Sequence, residues 1–181
     1  MRIARIAHSE GFAYAALGDA DGQEVALEIA EQPFVKPTFS GRKWPLADVR
    51  LLAPVLPTKV VCIGKNYADH VAEMGGGAAP ESPVVFLKPS TSVIGPEDAI
   101  RIPPGSTNVH HEVELAVVIG ARGARNVTPE QASASVFGYT IGNDVTERDM
   151  QKSDGQWTRA KGFDSFCPLG PWIETDLAGL G

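Results

Sequence analysis

Short runs that alternate apolar and polar residues fill the first fifty positions of the chain. The runs "RIARIAH", "FAYAALG" and "EVALEI" have the period of two that is typical of strands with one buried face. The segment "GDADG" separates the second run from the third and has the composition of a turn. The pattern predicts a strand meander in a small, β-rich N-terminal domain, which we assign to residues 1–55.

A second set of apolar runs follows "APVLPTK", whose two prolines make residues 53–58 the best candidate linker. These runs are short, rich in β-branched and aromatic residues, and separated by Gly, Pro and Ser, which favours a mainly β core over βαβ repeats. We therefore expect a mainly β fold with short helices (α+β), with residues 58–181 as the larger core. The predicted strands are "KVVCIG", "PVVFLKP", "AIRIP", "VELAVVIG" and "VFGYTIG".

Three short helices are predicted from their end signals. Asn66 is the expected cap of "NYADHVAEMGGG", and Thr128 the cap of "TPEQASASV", where Gln131 completes a capping box. In "DVTERDMQKS", Asp144 is followed by Glu147 three residues later, which is the same signal.

Composition and charge narrow the possible partners. The 181 residues carry 22 acidic and 16 basic side chains, a net charge of -6, and no basic block, so neither nucleic acid nor an anionic membrane is expected. No apolar run approaches the roughly 20 residues that span a bilayer, and the first residues lack a signal-peptide core. We expect a cytoplasmic chain. Cys62 and Cys167 lie in apolar contexts and are predicted to be free thiols.

Two acids interrupt an apolar run in "NVHHEVELAVVIG". Residues two apart in a strand share a face, so Glu112 and Glu114 point together while Val113, Leu115 and Val117 point the other way. Two such anions on a buried sheet need a cation, which could be a metal ion or Arg and Lys side chains. An edge strand with its acids in water is the alternative.

A third acid, Asp144, follows "FGYTIGN", whose small residues Gly138, Thr140 and Gly142 leave space on the same face. Space beside an acid indicates a pocket, although a helix cap is the better explanation of Asp144 taken alone. Three carboxylates without cysteine suit a hard ion, and Mg²⁺ or Mn²⁺ fits best.

The other candidate catalytic or binding residues are a possible general-base dyad and two lysines. His70 and Glu73 share one face of the first predicted helix, as a general-base dyad or as a surface ion pair. Lys88 and Lys161 interrupt apolar runs, where a lysine either meets a substrate carboxylate or extends to water. The nucleotide, acyl-serine and zincin motifs are absent from the sequence.

Five ordered segments resemble the fumarylacetoacetate hydrolase family, in its acylpyruvase and oxaloacetate-decarboxylase-like branch. The resemblance runs from about Thr58 to Trp172, and it implies a mixed β-roll core and a homodimer. Members continue to a Gly-Thr-Pro-x-Gly segment, whereas this chain stops at "DLAGLG", so we expect a chain without the family's C-terminal portion. The segments are "VVCIGKNYADHVAEM", "PVVFLKPST", "NVHHEVELAVVIG", "GYTIGNDVTERDMQ" and "WTRAKGFDSFCPLGPW".

The resemblance also implies roles for individual residues. Glu112, Glu114 and Asp144 would hold Mg²⁺ or Mn²⁺, and His70 with Glu73 would form the base dyad. Lys161 and Gln151 would be catalytic residues that meet the substrate. Apart from the resemblance, we expect Lys88 and Asn143 to bind the substrate.

The expected function is a metal-dependent hydrolase or lyase that cleaves a C–C bond in a 2-oxo or 2,4-dioxo acid. Acylpyruvate hydrolysis and oxaloacetate decarboxylation both fit, and isomerisation of a hydroxymuconate-type or 2-hydroxyhepta-2,4-dienedioate-type substrate is an alternative. Two further classes stay open. One is a cupin-like oxygenase with iron on His110 or His111 and Glu114, and the other is a non-catalytic binding homologue.

Overall fold

The computed structural model describes residues 1–67 and 80–176. Strands are the main regular structure, and the helices are short. The strands are β1 Arg2–His8, β2 Gly11–Ala20, β3 Gln23–Ile29, β4 Phe39–Pro45, β5 Arg50–Leu52, β6 Val60–Gly64, β7 Val84–Lys88, β8 Val93–Ile94, β9 Val109–His110, β10 Val113–Ile119, β11 Val136–Asn143, β12 Thr146–Glu147 and β13 Cys167–Glu174. The helices are α1 Pro129–Ala132, α2 Arg148–Ser153 and α3 Thr158–Lys161, with 3-10 turns at Leu46–Asp48, Ser90–Ser92 and Ser133–Ser135.

One large sheet contains both the N-terminal strands and part of the later core. Within the described residues its order is β10-β11-β13-β1-β2-β3-β4, with β5 on β1 and β8 on β13. The β8–β13 pair is parallel and the other pairs are antiparallel, so the sheet is mixed. Two two-stranded sheets, β6–β7 and β9–β12, lie outside it. The mainly β fold with short helices is therefore confirmed.

The predicted N-terminal meander is present as β1, β2 and β3. Asp21 and Gly22 have φ values of 56° and 78°, the left-handed conformation that a tight hairpin turn requires. Ile3, Ile6 and other buried residues of this region form the core against β5 and β13. Because β1 pairs with β13 through Ile3 and Ile173, the first segment and the later core share one continuous sheet. The division at residues 55–58 stays a prediction.

Two predicted elements differ from the structure. The run "AIRIP" is not a strand. Pro103 and Pro104 stand at its end and lack N–H donors, and the Arg101 N–H donates to Ser165 Oγ at 2.8 Å instead of to a strand. The helix after β11 begins at Arg148 and is capped by Glu147, whose carboxylate accepts the Met150 N–H at 2.5 Å. Asp144 is therefore not the helix cap.

Of the remaining helix predictions, the Thr128 capping box is confirmed, and its N–H donates to Gln131 Oε1 at 3.1 Å. The helix predicted from Asn66 lies outside the described residues beyond position 67. Among the described helices, none is long and apolar enough to span a membrane.

The outer face of the β10–β11 hairpin is apolar and exposed. Leu115 is 63% exposed and Val113 68%, and the same face carries further aliphatic side chains. This agrees with the alternation in the sequence, since these residues point away from the acids of the same strand. The remaining exposed aliphatic residues of this face are Val117, Ile119 and Ile141.

Candidate metal and oxo-acid site

Three acids converge where β10 begins and β11 ends. Glu112 directly precedes β10, Glu114 pairs with Gly142 of β11, and Asp144 follows β11. The Asp144 N–H donates to the Glu112 carbonyl at 2.8 Å, which closes the hairpin beside the acids. One carboxylate oxygen from each acid lies within 4.8 Å of the other two. The hairpin register thus brings together the acids that strand spacing singled out.

The face behind Asp144 does not form the open pocket that its small residues predicted. A Cβ at Gly138 would lie 2.5 Å from the Glu174 carbonyl oxygen, and one at Gly142 would lie 3.4 Å from Leu169 Cδ2. Thr140 is buried and its hydroxyl donates to the Trp172 carbonyl at 2.7 Å. The small residues allow β13 to pack closely, so the expectation of free space there is wrong.

Lys161 lies at the end of α3, directly against the acids. Its ammonium donates to Glu112 Oε2 at 3.0 Å and to Thr146 Oγ1 at 2.7 Å, and it also forms a short bond with Asp144 Oδ2. These contacts use the three ammonium protons. The structure therefore places a fixed positive charge against two of the three carboxylates.

Lys88 is 2% exposed and lies on the other side of Asp144. Its ammonium is 2.8 Å from Asp144 Oδ1, although the two are not aligned as a hydrogen bond. It donates to the carbonyls of Phe166 at 2.8 Å and Val145 at 3.3 Å, and it forms a short bond with that of Lys161. These contacts with Asp144 and the carbonyls favour a role for Lys88 in positioning Asp144. The predicted contact of Lys88 with substrate stays a prediction.

Arg148 completes the charge arrangement around Glu112. Its guanidinium forms a short ion pair with Glu112 Oε1, donates to Gln151 Oε1 at 2.9 Å and lies 3.4 Å from His110 Nδ1. Asn143 Oδ1 accepts the Glu112 N–H at 3.0 Å. Gln151 and Asn143 therefore lie at this site: Gln151 contacts the arginine that pairs with Glu112, and Asn143 contacts the Glu112 backbone.

The acids differ in how strongly they bind a proton. Burial acts to raise the pKa of Glu112, but hydrogen bonds and charge from Arg148 and Lys161 outweigh it and leave the pKa below its usual value. The pKa of Glu114 is raised by burial and by repulsion from Asp144 and Glu112, against a bond from Tyr67. Glu112 therefore stays ionised to a lower pH than a free glutamate, whereas Glu114 loses its proton only at a higher pH than Glu112.

The three acids fit a small divalent ion. Mg²⁺ and Mn²⁺ prefer hard carboxylate oxygens, and bonds of about 2.1 Å place ligand oxygens about 3 to 4 Å apart. The acid oxygens already lie within 4.8 Å of one another, close to that spacing. Among the described residues, neither His110 nor His111 belongs to this converging group, so the nitrogen ligation of an iron oxygenase gains no support.

The predicted dyad of His70 and Glu73 lies outside the described residues. The chain is described up to Tyr67, whose hydroxyl accepts the Leu115 N–H at 3.1 Å, so the segment before the dyad reaches the acids. Sequence reasoning missed Tyr67, Thr146 and Arg148 as site residues. The last two lie in "DVTERD", where polar residues alternate with the noted acids and could have been recognised.

The free cysteines lie near the lysines and Asp144. Burial, with repulsion from Asp144, raises the pKa of Cys62 to about 12, and burial raises the pKa of Cys167 to about 11. At pH 8 about one thiol in a thousand or fewer is then ionised. We expect Ellman's reagent to modify native protein at least about 100-fold more slowly than unfolded protein. A rapid phase of one thiol per native chain would contradict this.

Known proteins resemble both segments of the chain. A family profile described as "Fumarylacetoacetate (FAA) hydrolase C-terminal" matches residues 59–179, and one described as "Rv2993c-like, N-terminal" matches residues 1–54. Protein Rv2993c of Mycobacterium tuberculosis is 61% identical over 181 residues, which cover 98% of this chain and 68% of that protein.

Other relatives carry names that describe a reaction. The human protein named Oxaloacetate tautomerase FAHD2A, mitochondrial, is 46% identical over 134 residues, which cover 72% of this chain and 42% of that protein. A crystal structure described as 5-carboxymethyl-2-hydroxymuconate delta-isomerase from Mycobacterium smegmatis is 55% identical with a TM-score of 0.89, over 98% of this chain and 68% of that chain. This chain spans only about half the length of several relatives. For example, it covers 53% of an Archaeoglobus fulgidus protein.

Proposed function

Because the chain belongs to the fumarylacetoacetate hydrolase family, we propose that it acts on a 2-oxo acid through the enol or enolate form, with Mg²⁺ or Mn²⁺ as cofactor. The observation that carries this proposal is the convergence of Glu112, Glu114 and Asp144 beside the Lys161 ammonium. The names of the relatives, a tautomerase and an isomerase, support proton transfer next to a carbonyl group as the core chemistry.

Keto–enol exchange moves one proton from the carbon beside the carbonyl to the carbonyl oxygen and requires no other reactant. A divalent ion on the three acids would act as a Lewis acid toward that oxygen. Lys161 would stabilise the negative charge that develops there, because its ammonium already faces the same acids. Gln151, held by Arg148, would orient the substrate together with Asn143. His70, oriented by Glu73, is the proposed base.

Cleavage of a C–C bond is the second candidate. Acylpyruvate hydrolysis and oxaloacetate decarboxylation both release an enolate, which the same positive charges would stabilise. Hydrolysis additionally requires an activated water, and the proposed His70–Glu73 dyad would supply the base for it. The charge arrangement around Lys161 supports each of these reactions equally, so the distinction depends on measured products.

Turnover by the purified chain tests the proposal. Enol absorbance reports oxaloacetate tautomerisation, pyruvate release reports decarboxylation or acetylpyruvate hydrolysis, and a hydroxymuconate derivative reports isomerisation. We expect at least one activity with Mg²⁺ or Mn²⁺ and its loss after chelation. Binding of Mn²⁺ without turnover of any of these substrates would refute the enzyme proposal and leave the metal site standing.

Glu114→Gln tests the metal site by itself. Removing one of three ligands is expected to weaken Mn²⁺ binding at pH 7 by at least about tenfold, or about 1.4 kcal/mol. In the wild type, affinity should fall as the pH is lowered through the raised pKa of Glu114, because the protonated acid is a poor ligand. The variant should lose this part of the pH dependence. Titration calorimetry measures both, with the exposed Glu31→Gln as the control.

We also propose that the protein forms a homodimer. The exposed aliphatic face of the β10–β11 hairpin supports an association between chains, since monomers rarely expose such a contiguous face. Sedimentation over a range of concentrations tests this proposal, and a single monomeric species at all concentrations would refute it.

A further inference from the structure

The Lys161 ammonium also has aromatic neighbours. Its Nζ lies over the ring of Phe86, 5.0 Å from the centroid, and over the ring of Trp157, 5.7 Å from the centroid. These distances are within the range of a cation–π interaction. The two rings meet edge to face with centroids 5.4 Å apart. The ammonium therefore contacts both oxygen acceptors and a pair of rings.

Helix α3 fixes one of these rings relative to the lysine. Trp157 is the N-cap residue of α3 and its carbonyl accepts the Lys161 N–H at 3.0 Å. Residues four apart on a helix lie on the same side, so the indole and the lysine side chain extend together. Phe86 comes from β7, two residues before Lys88, and pairs with Cys62 of β6.

Gly64, the last residue of β6, determines how closely the indole can approach that hairpin. A Cβ at Gly64 would lie 2.5 Å from Trp157 Cζ3 and 3.0 Å from Cη2. Such a Cβ would be too close for an ordinary contact, so any side chain at position 64 forces the ring to move. The ring in turn contacts Phe86, and the ammonium lies over both.

We propose that Gly64, Trp157 and Phe86 form an aromatic seat that sets the position of the Lys161 ammonium over the candidate metal-binding acids. The importance of this position for catalysis rests on the proposed function, whereas the seat itself does not. Gly64, Trp157 and Phe86 are positioning residues, since they act through Lys161. A shift of about 1 Å in a catalytic group can lower a rate by about 100-fold, so displacing the ring is expected to affect turnover.

Coupling between Gly64 and Lys161 is the decisive measurement. The difference in near-UV circular dichroism between the wild type and Trp157→Phe gives the signal of this indole. Lys161→Met should change that signal in the wild type, but should add no further change in Gly64→Ala, where the ring is already displaced. Independent, additive changes in the double variant would overturn the proposal, whether or not the protein has turnover.

Activity and metal binding provide the second readout. Gly64→Ala and Trp157→Leu should each lower kcat about tenfold with little change in KM, and each should change Mn²⁺ affinity in the same direction as Lys161→Met. Trp157→Leu creates no clash, so it carries the test if Gly64→Ala does not fold. The matched control is Gly18→Ala, because a Cβ at Gly18 of β2 meets nothing within 4 Å. Unchanged kcat and Mn²⁺ affinity in a folded Trp157→Leu variant would overturn the proposal.

Discussion

Lys161→Met is expected to lower turnover of a 2-oxo acid by about 10² to 10³, the usual effect of removing one group that stabilises developing charge. The variant should at the same time bind Mn²⁺ about tenfold more tightly, or about 1.4 kcal/mol. The ammonium contacts Glu112 Oε2 and Asp144 Oδ2, so it competes with a metal ion for these oxygens and repels it. Met has a similar length and keeps the packing against Phe86.

The opposite signs of these effects separate a catalytic role from misfolding, since a misfolded site would lose both turnover and metal binding. Steady-state kinetics and calorimetry on the same preparation measure them, and Lys152→Met, on the exposed side of α2, is the matched control. Weaker Mn²⁺ binding in Lys161→Met would contradict the competition between lysine and ion. Turnover equal to that of the wild type would contradict the catalytic role.

Lys88→Met is expected to have the largest effect on folding, a loss of about 3–5 kcal/mol in the free energy of unfolding. The substitution leaves Asp144 Oδ1 without its ion pair and removes the donor that three buried carbonyls share. Urea denaturation followed by circular dichroism measures the loss. If the variant does not fold at all, the effect exceeds the stability of the domain.

The control for Lys88 is Lys59→Met, an exposed lysine beside β6, which should change the stability by less than about 0.5 kcal/mol. Equal stability of the two variants would show that Lys88 does not support the fold. Its predicted contact with substrate would then become the better account. The comparison therefore tests the alternative that the sequence left open.

Spacing along the chain predicted part of the site, because the shared direction of two of its acids depends only on local strand geometry. Glu112 and Glu114 share a face through the period of two along a strand, and the two acids do converge where β10 begins. Asp144 joins them through the pairing of Glu114 with Gly142, a register that links distant residues. The family resemblance grouped the three acids as metal ligands but did not give this register.

Other features depend on contacts that no local pattern encodes. A lysine between "VVFL" and a proline reads as one that extends to water, whereas Lys88 is buried because carbonyls from three separate segments surround it. Gly138 and Gly142 read as free space, but β13 fills it. The segment "AIRIP" has strand composition, yet Ser165 takes the N–H of Arg101. In each case a tertiary partner decides the outcome.

The strand that carries Glu114 is an edge of the large sheet in the described part of the chain. An edge strand can template a strand from another molecule, which is the geometry of early aggregation. The Leu115 N–H of this edge already donates to the Tyr67 hydroxyl, so an added strand would first displace that hydroxyl. A strand added beside β10 would lie within a few ångströms of the acids, and its backbone would restrict their rotation. Occupation of the site by an ion and growth of aggregates should therefore oppose each other, so that solubility becomes a measure of metal binding.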